Sequence, residues 1–181
     1  MKLGIYIGSF NPPHKGHIHV VNYLIEKKII DKILIVPTGN YWNKQNLASL
    51  NHRINMLKLY ENDNIIIDVV NNNYQYTYQL MRKLKEIYRD MELYLIIGAD
   101  NIISFNKWKN YEELLNYNII IMNRSGIDID KYLENYPQGK FTIAKDFIPI
   151  EISSTDIRND IDNENIDEEI KKYIKKNQLY R

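Results

Sequence analysis

The chain contains no cysteine. That excludes a disulfide framework and any zinc site built on thiolates, and it fits a reducing, cytoplasmic compartment. An excess of one charge sign is also missing: 24 Lys and Arg face 23 Asp and Glu, a formal net charge of +1. Nothing therefore draws the whole surface toward nucleic acid or an acidic membrane, and any anion site must be local. No apolar run approaches the roughly 20 residues a membrane helix needs, and Met1-Lys2 leads into a strand rather than a signal peptide. The P-loop with its Lys-Ser/Thr and the Gly-x-Gly-x-x-Gly fingerprint are both absent, which argues against a kinase-type ATP site and an ordinary dehydrogenase site. No linker, low-complexity tract or internal repeat divides the 181 residues. Residues 1–181 read as one domain able to bury a sizeable core, with a C-terminal helical part from about residue 153 onward.

What is present is an alternation of strand and helix patterns. Leu3, Ile5 and Ile7 open the chain as a strand; Val20, Val21, Leu24 and Ile25 form the stripe of a helix ending near Lys28; Ile33 to Val36 is a continuous apolar run. The pattern repeats with a helix on Leu50, Ile54 and Leu57 and a strand over Ile65 to Val70. It continues with Leu80, Leu84 and Ile87 before Leu93 to Ile97, and with Leu114-Leu115 before Ile119 to Met122. A weaker helix is expected from Asp128 to Tyr136 and a last strand from Phe141 to Ala144. Continuous apolar strands separated by helices predict an α/β fold, a Rossmann-like doubly wound parallel sheet with both faces covered. In the tail, Ile166, Ile170, Tyr173 and Ile174 share a helix face, with acidic residues early and lysines late, an order that suits the helix dipole.

Chemistry concentrates in Gly8-Ser9-Phe10-Asn11-Pro12-Pro13-His14-Lys15-Gly16-His17. The stretch lies at a strand's carboxyl end, where open α/β sheets bind ligands. Gly8 and Gly16 allow close backbone approach or positive φ, and Pro12-Pro13 stiffens the segment between them. His14 and His17 fall where the next helix begins, a place of free N–H groups and partial positive charge suited to a phosphate. A metal site on His14, His17 and His19 is the competing reading, but no nearby carboxylate completes a ligand set.

A second stretch is Ile152-Ser153-Ser154-Thr155-Asp156-Ile157-Arg158. Ser153 and Asp156 have the spacing of a capping box. Capping leaves Arg158 unexplained, as a cation near the positive end of a helix; hydroxyls, free N–H groups and an arginine fork together make a phosphate cradle. Gly98-Ala99-Asp100 follows another strand, where a carboxylate can accept from ribose hydroxyls or simply cap a helix. Trp108 is either a core residue or a ring at the mouth of a site, stacking on a heteroaromatic. Lys44 and Arg53 are either phosphate contacts or solvated loop charges.

Taken together, Gly8-Ser9-Phe10-Asn11-Pro12 with His14-x-Gly-His17, and Ile152-Ser153-Ser154-Thr155 with Ile157-Arg158, resemble the paired signatures of the nucleotidyltransferase superfamily that carries His-x-Gly-His. Within it the chain is similar to the nicotinate or nicotinamide mononucleotide adenylyltransferases. Tyr76-Thr77, Gly98-Ala99-Asp100-Asn101, Trp108, Asn123-Arg124 and the ending Tyr173-Ile174 to Leu179-Tyr180 carry that likeness over almost the whole length. The resemblance implies transfer of AMP from ATP, with Mg²⁺ bound through the ATP phosphates, to a pyridine mononucleotide. It implies His14, His17 and Arg158 as catalytic, and Gly8, Ser9, Phe10, Gly98, Asp100, Ser153, Ser154 and Thr155 as further ATP contacts. Asn11, Lys44, Thr77, Trp108 and Arg124 then fall on the acceptor side, with Trp108 stacked on the pyridine and Thr77 beside it. The resemblance leaves room for a homo-oligomer. Two positions depart from the bacterial nicotinate pattern: Asn11 stands where Asp is usual, and Tyr41-Trp42-Asn43-Lys44 followed by Leu47 looks more like the nicotinamide-accepting relatives. Rival readings are the same chemistry on another acceptor, as in phosphopantetheine adenylyltransferase or a cytidylyltransferase, and a non-catalytic nucleotide-binding protein.

Overall fold

Strands Lys2–Gly8 (β1), Lys32–Pro37 (β2), Ile65–Ile67 (β3), Glu92–Gly98 (β4), Asn118–Met122 (β5) and Lys140–Ala144 (β6) form one sheet in a computed structural model that describes residues 1–40 and 46–181. The order is β3-β2-β1-β4-β5-β6 and every pairing is parallel. Alternate residues of each apolar strand feed two different cores, as the period of two requires. On one face Leu3, Ile5, Leu34, Leu95 and Ile119 pack with Leu80, Met81 and Leu84 of α3 (Thr77–Ile87). On the other, Ile33, Ile35, Ile96 and Ile120 pack with Val20, Val21 and Leu24 of α1 (Lys15–Glu26) and with Leu57 of α2 (Leu50–Lys58). This is the doubly wound arrangement expected from the strand pattern. Because β1 has β2 on one side and β4 on the other, the crossovers leave it in opposite directions and open a crevice at its carboxyl end.

Boundaries differ from the expectation in three places, one of them the helix expected from Asp128 to Tyr136, which spans only Ile129–Leu133. The third strand stops at Ile67 rather than Val70, because the Asp68 carboxylate accepts hydrogen bonds from the Val70 and Asn71 amides and turns the chain out of the sheet. The first helix ends at Glu26, and Lys28 takes a left-handed φ of 55°. The short helices Ala99–Ile103 (α4), Tyr111–Leu114 (α5) and Ile129–Leu133 (α6) fill the remaining crossovers. Beyond the sheet, Ser154–Asn159 (α7) and Glu168–Lys176 (α8) contribute Ile157, Ile170 and Ile174 to a third apolar cluster with Met56 of α2. The charge order foreseen for α8 is present, with Glu168 and Glu169 in its first turn and Lys175 and Lys176 in its last. No described helix is long and apolar enough to cross a membrane.

Candidate active site

The segment after β1 crosses the crevice and enters α1 with His14 at the N-cap. Left-handed backbone is needed here, but the expected glycines do not supply it. Phe10 does, at φ 47°, a conformation that costs an L residue roughly 1–2 kcal/mol. The Phe10 ring is buried, edge-on to Tyr6 at 5.3 Å and to His17 at 4.9 Å between centroids, so it supports the histidine from below. Gly16 is required for close approach: a Cβ there would lie 2.9 Å from the His14 ring and 3.0 Å from Ile152.

His14 and His17 stack with centroids 3.7 Å apart. The His14 amide donates to His17 Nδ1 at 3.2 Å, which makes that nitrogen an acceptor and leaves the proton of the neutral ring on Nε2. His14 Nδ1 is buried with no hydrogen-bond partner among the described residues. Burial pushes the His14 pKa down to about 4, helped by Arg124, and holds His17 well below the ordinary value, with His14 as the second cause. Two neutral imidazoles thus sit in a buried position where an anion would find donors.

A cavity of 220 Å³ is lined by both histidines together with Gly98 at the end of β4, Arg124 after β5, and Ser153 and Ser154 at the start of α7. The capping box is formed: the Asp156 amide donates to Ser153 Oγ at 3.1 Å, and the Ser153 amide donates to the Asp156 carboxylate at 2.9 Å. Ser154 Oγ donates to the Pro12 carbonyl at 3.0 Å, tying α7 to the loop. Arg158 is not near the positive end of a longer helix. It lies in the last turn of six-residue α7, where the dipole favours a cation, and its guanidinium donates back to the Asn11 carbonyl at 2.8 Å and Thr155 Oγ1 at 3.1 Å. Asp100 stands 3.8 Å from Arg124 in a solvent-exposed pair, and Arg124 lines this cavity.

A second cavity, of 430 Å³, opens across the end of β1. Its wall contains Ile7, Thr38, Tyr76, Thr77 at the start of α3, and Trp108. Sequence reasoning missed its two lysines. Lys107 and Lys109 flank Trp108 in the wall, Lys109 Nζ stands 4.7 Å over the Tyr76 ring, and no carboxylate is among the described lining residues. Tyr6 lines one cavity and Ile7 the other, so the two cavities flank the carboxyl end of β1 on opposite faces of the sheet.

The family model for cytidylyltransferase-like proteins matches residues 5–160. The chain belongs to that family. A relative from Fusobacterium nucleatum, described as a probable nicotinate-nucleotide adenylyltransferase, is 35% identical, with 97% of this chain and 98% of that one covered. One of the same description from Bacillus licheniformis is 34% identical, covering 99% and 98%. Among solved structures, the nicotinic acid mononucleotide adenylyltransferase of Plasmodium falciparum complexed with NaAD superposes with a TM-score of 0.81 at 25% identity, over 99% of this chain and 97% of the other.

Within this cytidylyltransferase-like frame some expected contacts line neither cavity. Gly8, Ser9 and Phe10 form the floor and edge of the loop; the Gly8 carbonyl accepts from the Thr38 amide at 2.8 Å. Asp100 pairs with the lining residue Arg124, Arg158 donates to the Asn11 carbonyl of the loop, and Thr155 Oγ1 accepts from Arg158. Asn11 is buried, its amide engaged by Asn46, Ala48 and Tyr180, and so it acts as a clamp rather than an open acceptor contact. Lys44 lies outside the described residues. Arg53 is neither a phosphate contact nor a solvated charge. It is fully buried and donates to the carbonyls of Ser9, Thr38 and Ala48 and to Asn40 Oδ1, fastening three segments around the crevice. Its place one turn into α2, beside apolar Ile54, Met56 and Leu57, is the signal that could have marked it as interior.

Proposed function

We propose that this nucleotidyltransferase moves AMP from ATP to the 5′-phosphate of nicotinate mononucleotide, releasing pyrophosphate and forming the dinucleotide of NAD biosynthesis. The observation that carries the reading is the pair of chambers on either side of the carboxyl end of β1, one holding His14, His17 and Arg124 and the other an aromatic ring between two lysines. A dinucleotide is a product that can reach over the end of that strand from one chamber to the other, with the reacting phosphates between them. The attacking phosphate oxygen is already anionic near neutral pH, so no base is required. It forms a bond to Pα as the bond from Pα to the bridging oxygen of pyrophosphate breaks, and that electron pair leaves with pyrophosphate.

The chemical difficulty is bringing two polyanions together, which positioned donors ease without covalent chemistry. His14 and His17 would take the α- and β-phosphates, and the Ser154-Thr155 start of α7 with the guanidinium of Arg158, three of whose five N–H groups have no partner among the described residues, the β- and γ-phosphates. The donors here are imidazole, hydroxyl and guanidinium, suited to phosphate oxygens rather than to a cation. Mg²⁺ would arrive as part of the substrate, on the ATP phosphates, and neutralise charge there.

Acceptor identity follows from the second chamber. Trp108 offers a flat face to a pyridine, and Lys107 and Lys109 favour a negatively charged ring substituent over a neutral amide. The relatives named for nicotinate nucleotides support the same choice. Rates of pyrophosphate release with ATP or CTP against a panel of nicotinate mononucleotide, nicotinamide mononucleotide and phosphopantetheine test it. The expected result is ATP with nicotinate mononucleotide, favoured over the amide by about tenfold or more in kcat/KM, the worth of one favourable charge contact. Equal rates with acid and amide overturn the acid assignment, and a preference for CTP or phosphopantetheine overturns the function.

A further inference from the structure

The family match ends at residue 160, yet the chain runs on through α8 and returns to the catalytic loop. After α8, Gln178 and Tyr180 take left-handed φ values of 54° and 61°, unfavourable for side chains with a Cβ. The consequence of that turn is a hydrogen bond: Tyr180 Oη donates to Asn11 Oδ1 at 2.7 Å, across 169 positions of sequence. Burial raises the Tyr180 pKa above its ordinary value, so the hydroxyl stays protonated as a donor.

Asn11 is where several constraints converge. Its Oδ1 also accepts from the Ala48 amide at 3.0 Å, and its Nδ2 donates to the Asn46 carbonyl at 2.9 Å. Its own main-chain carbonyl receives the Arg158 guanidinium at 2.8 Å. With both lone pairs of Oδ1 and one amide hydrogen used, the side-chain amide has a single orientation that satisfies all three partners. A carboxylate at position 11 lacks the donor that Asn46 requires.

The hydroxyl is not what docks the tail. Leu179 and the Tyr180 ring pack on the cluster of Met56, Ile157, Ile166, Ile170 and Ile174, and Tyr173 Oη accepts from Asn55 at 3.1 Å. Tyr60 donates a hydrogen bond to the Asp167 carboxylate at the start of α8. Anchorage and the Tyr180 hydroxyl are therefore separable by a one-atom change.

We infer that Tyr180 is a positioning residue for the transfer reaction: through the Asn11 amide it holds the carbonyl that aims Arg158 at the ATP phosphates. This rests on the assignment of Arg158 to ATP made above. The test is a double-mutant cycle of Tyr180→Phe and Arg158→Ala, read by steady-state kinetics and by calorimetric titration of ATP alone. In the wild-type background Tyr180→Phe is expected to lower kcat/KM for ATP and weaken ATP binding by about tenfold. The acceptor KM should stay within about twofold and the melting temperature nearly unchanged. In the Arg158→Ala background the same change should cost less than about twofold. A tenfold cost that persists without Arg158 would reveal a merely structural role, and Tyr180→Phe behaving as wild type would equally overturn the inference. Asn11→Asp, which keeps the acceptor and removes the donor, should reproduce the loss and be non-additive with Tyr180→Phe. If the wild-type protein transfers no AMP, the proposed function fails, while the ATP titrations still decide the role of Tyr180.

Discussion

His14 and His17 gain their chemical character from where they are buried. A histidine whose pKa is lowered on folding binds fewer protons in the native than in the unfolded state between the two values. Its contribution to stability is therefore complete above the unfolded pKa near 6.5 and is lost as pH falls toward the folded value, about 4 for His14. That displacement is worth up to about 3 kcal/mol for His14 alone, and His17 acts in the same direction. Thermal melts should show the wild-type protein losing stability steeply from pH 6.5 to 4.5, with a shallower slope for His14→Asn; parallel curves would show that His14 is not the titrating group. On activity, His17→Ala should leave the fold intact and lower turnover by 10²–10³, the usual effect of deleting one donor to developing charge. Turnover within about threefold of wild type would remove His17 from the mechanism.

At the scale of elements, the crevice owes its shape to contacts that do no chemistry. Arg53 brings a guanidinium from the first turns of α2 to acceptors at Ser9, Thr38, Asn40 and Ala48. Replacing it with Met would leave several buried acceptors unpaired, at a cost of roughly 3 kcal/mol or more. The urea midpoint of Arg53→Met should fall accordingly. Arg53→Lys should recover little of it, because one ammonium cannot span a forked set of acceptors. A midpoint unchanged in either variant would show that the loops hold their places without the clamp. The strand β3 illustrates the same point in the other direction, since one carboxylate, Asp68, ends it three residues before its apolar pattern does.

At the scale of the molecule, the parallel sheet separates the two ligand chambers. Adjacent residues of β1 point to opposite faces, so Tyr6 belongs to the α1 side and Ile7 to the α3 side. Damage to one chamber should then leave binding in the other alone. Trp108→Ala should raise the acceptor KM by about tenfold, the loss of a stacked aromatic, with the KM for ATP changed less than twofold. Equal effects on both constants would mean that the chambers are one coupled site.

Much of this was legible in the chain. The strand and helix alternation, the loop at the end of β1 and the Ser153 capping box are matters of short-range spacing, and backbone geometry converts such spacing directly into structure. Tyr180 reaching Asn11 was not legible, nor was Arg53 turning inward, Arg124 lining the cavity of His14 and His17, or Lys107 and Lys109 lining that of Trp108. Composition and periodicity read a charged or polar side chain only as surface, while its actual partner depends on which distant segment folding brings against it. The position of the site follows from local pattern, because an apolar strand, a rigid loop and a helix start must adjoin one another. The grip and selectivity of that site come from long-range contacts, because buried charges and amides persist only where the tertiary structure supplies their partners.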